Sequence, residues 1–163
     1  MSPAGFGPEL LGTRLRRLLD LLDGDVAAIY TDLGLGGFRP RYTPVIRTLA
    51  ASGPHSIRDL ARATGVTHSA ASQTVAHLVK DELVVLTPGE DARQRIVRLT
   101  AKAERLLPVL EAEWQATTAA ATEFEAELSV PLSRLIDEAL DALRRRPMRQ
   151  RIAETALNPT TQP

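Results

Sequence analysis

At Leu83 the hydrophobic period of this chain changes. Upstream, from Ile57 to Val79, apolar residues recur at helical spacing. Downstream, LVVLTPGEDARQRIVRL reads as two short strands, about Val84–Thr87 and Ile96–Leu99, joined by a Pro-Gly-Glu-Asp-Ala turn. Such a chain must end a helical layer and then send out a β-hairpin.

The helical layer divides at punctuating residues. Ser56, with Asp59 three residues on, resembles a capping box, and Ile57, Leu60, Ala61 and Ala63 continue it as a short helix to Thr64. Gly65 stands where a helix-ending glycine belongs. Thr67 caps a further helix to about Asp81, whose expected inner face is Ala71, Val75, Leu78 and Val79. Before these, GLGGFRPRYTP is a loop, Thr43 reads as an N-cap with Pro44 at the first helical position, and Val45, Ile46 and Leu49 face inward. A long amphipathic helix spans Glu9–Leu33, with Gly24 as the point where it can break. Thr100 caps a helix to roughly Thr122, carrying Leu106, Leu107, Leu110 and Trp114, with Pro108 expected to kink it. A last helix carries Leu132, Leu135, Ile136, Ala139, Leu140 and Leu143.

Three short helices followed by a two-stranded hairpin is the order of a winged helix-turn-helix. The expected fold is therefore mainly α with a small β-hairpin wing, flanked by N- and C-terminal dimerisation helices. The expected organisation is an N-terminal dimerisation helix (1–38), a winged helix-turn-helix DNA-binding domain (39–105), C-terminal dimerisation helices (106–147) and a flexible tail (148–163). The terminal helices carry apolar stripes that a winged domain alone covers only in part. A two-fold dimer covers the rest and matches two half-sites roughly 34–36 Å apart.

Charge points the same way. The whole chain is neutral, yet residues 39–105 hold nine Arg and two Lys against six acids, net +5, while both flanks are acidic. A basic centre suits a polyanion. The helix from Thr67 exposes Thr67, His68, Ser69, Ser72, Gln73 and His77, and Thr67 to Val79 carries no formal charge. An ordinary solvated helix face carries Lys and Glu; this one offers only hydrogen-bonding groups, suited to base edges in a major groove. Arg93, Arg95 and Arg98 surround the hairpin turn, and Arg93 and Arg95 are the candidates for a minor groove. Arg41, Arg58 and the Ser56 helix start are weaker phosphate candidates.

The stretch SIRDLARATGVTHSAASQTVAHLVKDELVVLTPGEDARQRIVRLTAKAERLL resembles the central region of the MarR (multiple antibiotic resistance regulator) family, over about Tyr42 to Leu107. Asp91-Ala92-Arg93, followed by Val97-Arg98-Leu99-Thr100, resembles that family's wing signature. The resemblance implies a homodimer held by the first and last helices, an inverted-repeat operator and, usually, repression. It also implies that some members are released by a small, often phenolic, effector held between the dimer and DNA-binding parts. No effector-binding residue is assigned. Two positions depart from the pattern: Glu82 stands where a glycine is usual before Leu83, and Ala103 where a glycine commonly follows the Leu-Thr pair. With no cysteine, the family's cysteine-based peroxide sensing is excluded.

Other classes find little support. His68 and His77 are nine residues apart, not the three or four of a helical metal pair, and Glu123, Glu125 and Glu127 spread around a helix. No metal, cofactor or enzymatic activity is expected. No apolar run reaches roughly 18 residues and the N-terminus does not read as a signal peptide, so a cytoplasmic protein without membrane contact is expected. The alternative to a DNA-binding regulator is a winged domain used for protein–protein contact, which would lack salt-dependent DNA affinity.

Overall fold

The computed structural model describes residues 8–89 and 94–157. The chain forms two units, residues 1–111 and 112–163. Helix α5 (Ala101–Ala126) begins in the first and ends in the second.

In the first unit, α1 (Leu11–Asp32) runs without a break, and nothing lies within 4 Å of the Cβ position of Gly24. An exposed glycine inside a helix costs roughly 1 kcal/mol against alanine, too little to stop a 22-residue helix. A 3₁₀ turn (Pro40–Tyr42) leads into α2 (Thr43–Ser52). Thr43 is thus the first helical residue rather than the cap, because Pro40 starts the turn one step earlier and Tyr42 takes the flanking position. Tyr30, Phe38 and Tyr42 meet edge to face, with ring centroids 4.8 and 5.6 Å apart, and the Tyr30 hydroxyl lies 2.9 Å from Thr43 Oγ1. This cluster anchors the loop between α1 and α2.

The expected helix-turn-helix forms as α3 (Ile57–Thr64) and α4 (His68–Lys80). Ser56 Oγ accepts from the Asp59 amide at 3.1 Å and donates to the Asp59 carboxylate at 2.7 Å, a cap worth about 1 kcal/mol. Gly65, at φ 70°, takes the left-handed turn that a side chain would resist, and Thr67 Oγ1 accepts from the Ala70 amide to start α4. Leu60, Ala61, Ala71, Val75 and Leu78 close a core with Val45, Ile46 and Leu49. Val79, expected inside, is 39% exposed: on a helix it falls one position past the Ala71–Val75–Leu78 stripe.

The wing is an antiparallel pair, β2 (Val84–Pro88) and β3 (Arg95–Leu99), in register Val84 to Leu99 and Leu86 to Val97. A third strand, β1 (His55–Ser56), pairs with β3 on its other edge, giving the order β1-β3-β2. Two residues carry no alternation, so this strand has no sequence signature. The sheet pins the start of α3 to the base of the wing. Gly89 donates to the Gln94 carbonyl at 2.8 Å, carrying the pairing one step past Pro88 and Arg95.

In the second unit, α5 continues to Ala126, and the Thr117 hydroxyl donates to the buried Glu113 carboxylate. Helix α6 (Leu132–Arg145) follows, with its start tied by Glu125, which accepts from the Ser133 amide and hydroxyl. The segment from residue 148, expected as a flexible tail, contains a helix, α7 (Met148–Leu157). Its first turn is held by side-chain bonds. Arg146 and Gln150 both reach Glu154, and Arg151 donates to the Arg146 carbonyl at 2.9 Å and the Ala142 carbonyl at 3.2 Å. No helix among the described residues is long and apolar enough to cross a membrane.

Candidate nucleic-acid interface

Helix α4 packs on α3 and on β2, so its outer face and the wing belong to one surface. Thr67, His68, Ser69, Gln73 and His77 are exposed there; Ser72 is half-buried. Their chemistry is sharper than the sequence alone states. Thr67 Oγ1 already accepts the Ala70 amide, which leaves its O–H to donate outward. His77 Nδ1 lies 2.7 Å from the Gln73 carbonyl. A carbonyl only accepts, so Nδ1 is the donor in this contact and Nε2 is left for another partner. Gln73 keeps its whole side-chain amide for a partner, the group that pairs bidentately with adenine.

The wing presents Arg95 exposed at the start of β3. Arg98 is engaged within the hairpin, its Nε donating to Thr87 Oγ1 at 3.1 Å. Arg93, like Asp91 of the wing signature, lies outside the described residues. Of the phosphate candidates, Arg58 is exposed in the first turn of α3, and the exposed Arg41 sits with its guanidinium 5.8 Å from the Tyr42 ring centre. Ser56 is buried with its hydroxyl engaged in the cap, so any phosphate contact at this helix start falls to backbone amides.

Sequence reasoning missed the groups that hold the far end of α4. Tyr42, fully buried, donates its hydroxyl to Asp81 Oδ2 at 2.7 Å. Burial first, then the hydrogen bond and charge of Asp81, push the Tyr42 hydroxyl above its ordinary range, while Arg41 and Arg39 oppose this, so it stays a protonated donor at neutral pH. Lys102, from the first turn of α5, donates to the Asp81 carbonyl at 2.9 Å and lies 3.4 Å from the Glu82 carboxylate. These contacts join residues 39 and 21 positions apart, so no local pattern announces them. A cavity of about 330 Å³ opens beside them, lined by Leu35, Phe38, Asp81, Leu83, Lys102 and Leu106 with three glycines of the α1–α2 loop. Among the described residues, no group of three or more His, Cys, Asp or Glu side chains could hold a metal ion.

Two short helices joined by a glycine turn, the second exposing a polar face beside a β-hairpin, define a winged helix-turn-helix. The family model of the MarR family matches residues 37–95, which span most of this domain. Solved structures share the fold over most of the chain. NMB1585, a MarR family regulator from Neisseria meningitidis, is 22% identical with a TM-score of 0.54, covering 91% of this chain and 97% of that one. The PcaV transcriptional regulator from Streptomyces coelicolor, solved with its natural ligand, is 17% identical with a TM-score of 0.61, covering 90% and 99%. Overoxidized AbfR bound to DNA is 16% identical with a TM-score of 0.61, covering 83% and 90%. At these identities the likeness is one of fold. No protein of curated function matches the chain.

Proposed function

We propose that this chain is a sequence-specific, double-stranded-DNA-binding transcription regulator that represses from an inverted-repeat operator as a homodimer. The observation that carries the reading is the first three turns of α4 with its cap: Thr67, His68, Ser69, Gln73 and His77 are exposed and Ser72 half-buried, polar groups with no Lys, Arg, Asp or Glu before Lys80, beside a wing that carries Arg95. Thr67, His68, Ser69, Ser72, Gln73 and His77 read base edges or adjacent phosphates. Arg95 and Arg93 flank or enter the minor groove, and Arg41 and Arg58 neutralise phosphates. The exposed apolar residues of α1 and α6 support the homodimer. The DNA complex of AbfR and the ligand complex of PcaV support DNA binding and a small-molecule effector as activities this fold can carry. The chain acts without enzymatic chemistry, in the cytoplasm where chromosomal DNA lies.

The test is selection of genomic fragments by the purified protein. A recovered sequence with two-fold symmetry is expected. Gln73→Ala then weakens binding by about 1–3 kcal/mol and relaxes preference at one position in each half-site, read by gel shift on single-base operator variants. Recovery of random fragments, with no salt-dependent affinity and a stable protein partner instead, would assign the domain to protein contact.

A further inference from the structure

The two ends of α4 are held in different ways. Its start is held locally, by the Thr67 cap and the Gly65 turn. Its end is closed locally as well, by the Glu82 and Leu83 amides donating to the Val79 and Leu78 carbonyls, but it is also held from a distance, by two groups that come from elements before and after the helix-turn-helix. Tyr42 grips the Asp81 carboxylate, and Lys102 grips the Asp81 carbonyl while facing Glu82. Thr100 adds a hydroxyl donated to the Glu82 carbonyl at 2.7 Å.

The residue so gripped is the C-cap of the helix, followed by a residue in an unfavourable backbone state. Glu82 sits at φ 59°, in the left-handed region that glycine tolerates and glutamate resists. The left-handed turn lets the Glu82 and Leu83 amides close the last turn on the Val79 and Leu78 carbonyls, at 3.0 and 2.9 Å, and the contacts from Tyr42 and Lys102 fix where that closed end sits on the rest of the domain. We propose that Tyr42 and Lys102 are positioning residues for DNA recognition: they form a latch on Asp81 that sets the angle at which α4 presents Gln73 and its neighbours.

Leverage makes the latch matter. Thirteen residues make a helix about 20 Å long, so a tilt of about 5° at its end moves its start by about 1.7 Å. That is enough to break a base contact whose useful range spans only about 0.5 Å. Neither latch residue needs to touch DNA. The Tyr42 side chain is fully buried, and the Lys102 ammonium is turned to the Asp81 carbonyl and the Glu82 carboxylate.

The affinity half of the test rests on the DNA-binding reading above; the other half does not. Without DNA, hydrogen exchange of the full chain should show the amides of residues 81–83 opening several-fold faster in Tyr42→Phe and in Lys102→Met, and restored in Lys102→Arg. With DNA, both variants should lose about five- to twentyfold in affinity for the selected operator, keep random-duplex affinity within about twofold, and keep the salt slope. Lys102→Arg should recover most of the loss. Unchanged exchange at residues 81–83 would overturn the latch whatever DNA does. A salt slope reduced by about 0.9 for each lysine removed would make Lys102 a phosphate contact instead and also overturn it. Equal losses on operator and random duplex would overturn it too, as plain destabilisation. A wild-type chain that binds no DNA would fail the proposed function while the exchange arm still reads the latch.

Discussion

Glu82 shows how a single residue can work against its own backbone. Its φ of 59° costs roughly 1–2 kcal/mol relative to a right-handed state, and a glycine there avoids the penalty. What the side chain returns is an exposed ion pair with Lys102 at 3.4 Å, worth at most about 1 kcal/mol. The backbone term is the larger, so Glu82→Gly should stabilise the protein and raise the melting temperature by about 2–4 °C. A scanning-calorimetry midpoint that stays put or falls would contradict this account. Position 82 is also where the family resemblance expects glycine. The sequence therefore marks the site, but only the dihedral angle says that the departure carries strain.

Among the elements, the proposed DNA-binding function divides the labour between the wing and α4 by charge. Helix α4 offers dipoles and hydrogen-bonding groups, which discriminate between bases but attract DNA weakly at a distance. The wing offers guanidinium, which attracts phosphate and the narrow minor groove but reads little sequence. Arg95→Ala should therefore weaken operator and random DNA alike and flatten the salt dependence by about 0.9 per phosphate given up, nearly two for a dimer. A variant with an unaltered slope in anisotropy titrations at several salt concentrations would place Arg95 off the DNA. Most of this surface was legible in the sequence, because the cap residues Ser56 and Thr67, the turn glycine Gly65 and the apolar spacing are local signals. Strand β1 was not legible, since two residues cannot display a period. Nor was α7, whose first turn rests on Arg146, Gln150, Arg151 and Glu154 meeting across turns.

At the scale of the molecule, α1 and α6 leave much apolar surface uncovered: Leu11, Leu15, Leu19 and Leu22 on the first, Leu135, Ile136, Leu140 and Leu143 on the second, all more than 40% exposed. Fully burying an exposed side chain of this kind is worth about 1.5–3 kcal/mol, so a second copy covering these half-exposed stripes gains a part of that at each position, to set against the cost of association. Leu140→Glu should shift the protein toward monomer in analytical ultracentrifugation while leaving its helical circular dichroism nearly intact. It should also lower affinity for a two-half-site operator more than for a single half-site. A variant that remains dimeric would move the interface away from α6.

Sequence alone determined the winged order of elements, the polar identity of the reading face and the apolar character of the flanking helices, because each depends on neighbours within about four residues. Tertiary structure decided how that face is held. The grip of Tyr42 and Lys102 on Asp81 and the pairing of Ser56 with Ile96 depend on residues far apart in the chain. Hydrogen bonds of that span exist only once the core has closed, and no local pattern of residues encodes them.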